Sequence, residues 1–110
     1  MQITKREYGG ALVFELEGRV DSEGAGELDS ALQDALAAGQ YRLVLNMAGV
    51  SYINSAGLRT LADVLTRSRA NGGDLRLVAL SPRVQRIFAI IGFDRFFDPY
   101  SSVEAALAGW

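Results

Sequence analysis

The sequence predicts one α/β domain: a mixed central sheet of four to five strands with about four helices packed on it. Three observations carry this. Two strand-like stretches flank Gly9-Gly10, short apolar runs then alternate with helical stripes, and no linker, repeat or low-complexity tract interrupts the 110 residues. A hairpin followed by βα alternation implies helices layered on a mixed sheet. The length is near the commonest domain size, and 49% hydrophobic residues supply a core. Residues 1–110 are therefore expected to form a single domain.

Residues 2–7 read as an edge strand, and Gly9-Gly10 as the turn after it. In Leu12–Glu17 the residues Leu12, Phe14 and Leu16 share one face while Glu15 and Glu17 point away, the period of a half-buried strand. Asp21 or Ser22 is expected to cap a first helix carrying Leu28, Leu32, Ala35 and Leu36, with Gly39 as its left-handed end. The run Leu43–Met47 suits a central parallel strand covered on both faces.

A second helix follows from Leu58, Leu61, Ala62 and Leu65, leaves Arg59, Asp63, Arg67 and Arg69 to solvent, and stops at Asn71-Gly72-Gly73. Leu75–Leu80 is a further strand. Ser81-Pro82 opens a third helix, with serine as cap and proline where its missing N–H costs nothing. Val84, Ile87, Phe88 and Ile91 form its stripe and Gly92 its stop. Phe96-Phe97 is expected as a short strand, and Ser101-x-x-Glu104 as the capping box of a last helix bearing Val103, Ala106, Leu107 and Trp110.

Composition removes whole classes of chemistry. There is no cysteine and no histidine, so thiol nucleophiles, disulfides, Cys/His metal sites and the commonest general base are absent. Lys5 is the sole lysine, and Asn54-Ser55-Ala56-Gly57 is not a G-x-S-x-G elbow. The chain is read as a non-enzyme without cofactor. A net charge of −2 without a basic run argues against nucleic acid and membrane surfaces. No apolar run approaches a bilayer span or a signal-peptide core, and a cytoplasmic protein is expected.

One stretch remains for function, Val50–Leu58, where an apolar strand gives way to a helix. Either Asn54 or Ser55 serves as cap, and Gly57 allows a tight turn. Free N–H groups and the positive end of the helix dipole also favour a phosphate on Ser55. Ser22 and Ser51 are fallback positions for the same modification. Gly24-x-Gly26 and Gly72-Gly73 lack the Lys-Ser/Thr of a phosphate loop, and read as a loose helix start and a helix-ending turn.

The stretch Val50-Ser51-Tyr52-Ile53-Asn54-Ser55-Ala56-Gly57-Leu58 resembles the signature of STAS domains, specifically the bacterial anti-sigma factor antagonists. Leu16-Glu17-Gly18-Arg19-Val20-Asp21 is similar to the family's approach to its first helix, and Leu80-Ser81-Pro82-x-Val84-x-Arg86-Ile87-Phe88 to its third-helix entry. The resemblance covers nearly the whole chain and implies a STAS-like domain acting in a partner switch. It implies that the protein binds an anti-sigma factor serine kinase, is inactivated by phosphorylation at Ser55, and is reset by a serine phosphatase. The partner-binding face would comprise Asp21, Ser22, Asn54, Ser55, Ala56, Gly57, Ser81 and Pro82.

The chain departs from the family pattern at Asn54, where aspartate is usual. Asparagine caps a helix as well as aspartate does, but it removes a carboxylate beside the target hydroxyl. Two other readings follow. In one, the domain is an accessory or scaffold subunit of a transporter or stress-signalling complex, without a phosphoswitch. In the other, the Asp21 loop binds nucleotide weakly as a sensor.

Overall fold

The computed structural model describes residues 1–110. Its strands are β1 (Gln2–Tyr8), β2 (Ala11–Val20), β3 (Arg42–Ile53) and β4 (Asp74–Val78). Its helices are α1 (Ser22–Ala37), α2 (Ser55–Ala70), α3 (Pro82–Ile91) and α4 (Val103–Leu107), with a 3-10 turn at Phe93–Arg95. The sheet order is β1-β2-β3-β4, antiparallel only between β1 and β2. The expected mixed sheet with four helices is thus the observed fold.

The three parallel strands are each followed by a helix, so β2, β3 and β4 all deliver their carboxyl ends, and α1, α2 and α3 their amino ends, to one edge of the molecule. The main core joins Leu12, Phe14 and Leu16 of β2 and Leu43, Leu45 and Met47 of β3 to Leu28, Leu61 and Phe88 of the helices. On the opposite face Val13, Val44 and Val78 pack under Ala106 of α4. The continuous apolar run of β3 follows from this double coverage. No helix is long and apolar enough to cross a membrane.

Several boundaries differ from those the sequence predicts. The third strand does not end at Met47 but runs to Ile53, because β2 keeps pairing with it through Gly18↔Val50, Arg19↔Tyr52 and Val20↔Ile53. Extra residues in β3, opposite Glu15–Glu17 and Gly18–Arg19 of β2, disturb the two-residue alternation that would have revealed this. Within the bend, a Cβ on Gly49 would lie 2.8 Å from the Leu16 carbonyl oxygen, so the strands approach more closely than a side chain allows.

The fourth strand stops at Val78 rather than Leu80, since Ala79 adopts a left-handed φ of 57°. Phe96-Phe97 forms no strand. Phe97 instead turns inward onto Phe88 and Phe93, with ring centroids 5.9 and 6.1 Å apart, and only Tyr100 bridges to Val78. Ile91, placed by periodicity in the buried stripe of α3, is 46% exposed. The last helix is capped by Ser102 in place of Ser101, its side chain accepting from the Ala105 N–H.

Candidate functional site

The functional edge is built by caps. Asp21 ends β2 in extended conformation, and its Oδ1 accepts from the Gly24 N–H at 3.0 Å. One strand over, Asn54 does the same after β3, its Oδ1 accepting from the Gly57 N–H at 2.9 Å. The Asn54 N–H itself donates to the Val20 carbonyl at 2.9 Å, which ties the two junctions together. Ser81 completes the row, its Oγ accepting from the Val84 N–H at 3.2 Å. Of the paired alternatives left open by sequence, Asp21 rather than Ser22 and Asn54 rather than Ser55 are the caps.

That assignment decides what Ser55 has to offer. Because Asn54 makes the cap bond, the Ser55 hydroxyl is the exposed first helical residue of α2, and no acidic residue occupies that first turn. Ala56 beside it is also exposed, and Arg59 follows one turn later, so phosphate on Ser55 and the Arg59 guanidinium would share a helix face. Ser22 has the same place in α1 but lies between Asp21 and Glu23. The Asp21 carboxyl is held below the usual carboxylate range, first by the Gly24 N–H and further by the field of Arg19 and the amino terminus. It is ionised at neutral pH, so an added phosphate at Ser22 would meet like charge on both flanking residues, whereas the residues flanking Ser55 are uncharged.

Gly24 and Gly57 occupy matching positions three residues after their caps. A Cβ on Gly24 would stand 2.4 Å from the Arg19 carbonyl oxygen, and one on Gly57 2.6 Å from Val20 Cγ1. Each glycine lets its helix start close against the sheet. Gly24 is a helical residue with its N–H engaged by Asp21, not part of an open phosphate-binding loop.

The structure brings Asp21, Ser22, Asn54, Ser55, Ala56 and Gly57 together across the β2–β3 pair, with Ser81 and Pro82 at the head of the next helix along the same edge. Ser51 lies within β3, exposed, before this edge. A shallow groove between α1 and α2 starts at Ser22, Ala56 and Arg59 and continues to Gln33 and Asp63, whose side chains bond to each other at 3.1 Å.

Sequence reasoning missed three neighbours. Tyr52, half-buried, has the guanidinium of Arg19 4.7 Å and that of Arg83 5.9 Å from its ring centroid. Arg19 and Tyr52 are partners in the parallel ladder, so their contact depends on a pairing that the short reading of β3 excluded. Arg83 offered a local signal: it is a cation in the first turn of a helix, where the dipole disfavours positive charge.

A family model described as STAS domain matches residues 2–106 of this chain. BtrV of Bordetella bronchiseptica, named as an anti-sigma factor antagonist, is 36% identical over 110 residues, covering 100% of this chain and 95% of that protein. The crystal structure of an anti-sigma factor antagonist from Mycobacterium paratuberculosis superposes with a TM-score of 0.85 at 25% identity, covering 96% and 90% of the two chains. The Bacillus cell fate determinant SpoIIAA, solved in its phosphorylated form, shares the fold with a TM-score of 0.74 at 18% identity over 94% and 96% of the chains.

Proposed function

Because the chain belongs to the STAS domain family, we propose that it is an anti-sigma factor antagonist switched at Ser55. In this reading the unmodified protein presents the edge around Asn54–Gly57, Asp21 and Ser81-Pro82 to an anti-sigma factor serine kinase. The kinase transfers the γ-phosphoryl group of ATP to Ser55 Oγ. A new O–P bond forms, the bond to the bridging oxygen of ADP breaks, and the hydroxyl proton passes to a base supplied by the kinase. The phosphate brings about −1.5 to −2 charges onto a surface that a partner must otherwise desolvate, so the complex separates while the fold persists. A serine phosphatase restores the hydroxyl.

One observation carries the reading: the Ser55 hydroxyl is exposed at the amino end of α2, released from capping by Asn54 and free of acidic neighbours in that turn. The same bond answers the feature that favours an accessory subunit. Asn54 replaces an aspartate without loss of the cap, so its presence alone does not disarm the junction.

The test is binding of Ser55 variants to the cognate kinase, measured by titration calorimetry without ATP. Ser55→Ala is expected to bind as tightly as the unmodified protein and to resist release when ATP is added. Ser55→Asp is expected to bind at least about tenfold more weakly with an unchanged unfolding midpoint, from the repulsion of one buried like charge. Wild-type affinity in both variants, with ATP-driven release intact, would rule out a switch at this serine.

A further inference from the structure

The arginines of this chain fall into two groups. Arg6, Arg67, Arg69 and Arg76 each lie within ion-pair distance of a carboxylate. Arg19, Arg42, Arg59, Arg83, Arg86 and Arg95 have no such partner, and three of these six, Arg19, Arg59 and Arg83, sit where β2, α2 and α3 meet the edge that carries Ser55. Asp21, two residues after Arg19, accepts from the Gly24 N–H and makes no ion pair with that arginine.

Folding does not explain this placement. Arg83 faces the positive end of its own helix, and neither α2 nor α3 carries an acidic residue in its first turn to offset it. Arg19 and Arg83 are instead held by the Tyr52 ring. Stacking on an aromatic face orients a guanidinium while leaving its N–H fork open for bidentate contact with a carboxylate.

We infer that Arg19, Tyr52 and Arg83 form a docking point for a carboxylate-rich segment of a partner protein. Arg19 and Arg83 are exposed and Tyr52 is half-buried between strand and helix ends. The feature is thus an open surface, which suits a protein segment better than a small ligand that needs enclosure. The inference rests on the partner-binding reading of this edge and gives that partner a chemistry. It also gives the switch a second lever: phosphate on Ser55 would repel the incoming carboxylates and compete with them for the guanidinium groups.

The experiment uses the full chain, labelled with 15N, titrated with a capped hexaglutamate peptide and separately with capped hexalysine. Hexaglutamate is expected to give saturable amide shifts centred on Arg19, Tyr52 and Arg83, weakening several-fold as salt rises from about 0.02 to 0.2 M. Hexalysine is expected to leave those amides unmoved. The double variant Arg19→Glu/Arg83→Glu should weaken hexaglutamate binding at least about tenfold, the scale of losing two charge-assisted contacts. The neutral pair Arg19→Gln/Arg83→Gln should give the same direction if the acidic variant fails to fold.

Shifts centred elsewhere, equal shifts with hexalysine, or undiminished binding in the folded double variant would overturn the inference. No kinase or phosphate enters the titration, so its failure and the failure of the Ser55 switch are read separately.

Discussion

Asp21-Ser22-Glu23-Gly24 and Asn54-Ser55-Ala56-Gly57 are two copies of one backbone device. Each ends a parallel strand, caps the next helix through a bond to the glycine N–H at 3.0 or 2.9 Å, and leaves an exposed serine as the first helical residue. They differ in side-chain charge: the first copy carries two carboxylates and the second none. The backbone offers an anion the same N–H groups at both places, but the flanking side chains carry like charge only at the first. Asn54 and Ala56 leave Ser55 without a flanking charge. They distinguish Ser55 from its structural twin.

The largest effects should come from the glycines. Gly24→Ala is expected to cost about 2–3 kcal/mol, because its Cβ would lie 2.4 Å from a backbone oxygen that must then shift. Gly57→Ala should cost less, about 1 kcal/mol, since its obstacles are the ends of the Val20 and Ile53 side chains and alanine's helix propensity offsets part of the strain. Urea unfolding measures both. A greater loss at Gly57 would break the ranking of the two junctions.

The caps come next. Asn54→Ala is expected to lose about 1 kcal/mol, by the same amount in acid and at neutral pH, because an amide does not titrate. Asp21 behaves differently. Its folded pKa lies below the unfolded value, chiefly through the Gly24 N–H, so its carboxylate stabilises the fold above the ordinary aspartate range, near ~3.9. That contribution disappears as pH falls through the depressed folded value. The stability gap between wild type and Asp21→Asn should therefore close in acid, while Asn54→Asp should acquire an acid-sensitive gap of its own. Parallel pH–stability curves for wild type and Asp21→Asn would contradict the charged cap.

The fold was legible in the sequence wherever side chains keep a regular period. The stripes of α1 and α2, the run Leu43–Met47 and the Ser81-Pro82 start all became the elements they signalled. What could not be seen depends on contacts between distant segments. The extension of β3 to Ile53 is imposed by pairing with β2 across register shifts, and a local reading ends the strand where alternation fails. Phe96-Phe97 has strand composition, but Phe97 is drawn into an aromatic cluster with Phe88 and Phe93.

At the site, Asp21, Asn54 and Ser55 were visible as cap residues, whereas the Arg19–Tyr52–Arg83 cluster required the ladder and the docking of α3. The preference for Ser55 over Ser22 was legible in the motif and in the charges of their neighbours, and the structure adds that the preceding residue makes the cap bond in both copies.

Ser55 carries the switch only if it, and not Ser22, receives the phosphate and then releases the partner. The direct measurement is reaction of the full chain with its cognate serine kinase and ATP, followed by phosphopeptide mapping and co-elution with the kinase. The expected result is a single phosphate on Ser55, none on Ser22, and loss of the complex in step with modification. Phosphate on Ser22, an unmodified Ser55, or a complex that survives full modification of Ser55 would contradict it.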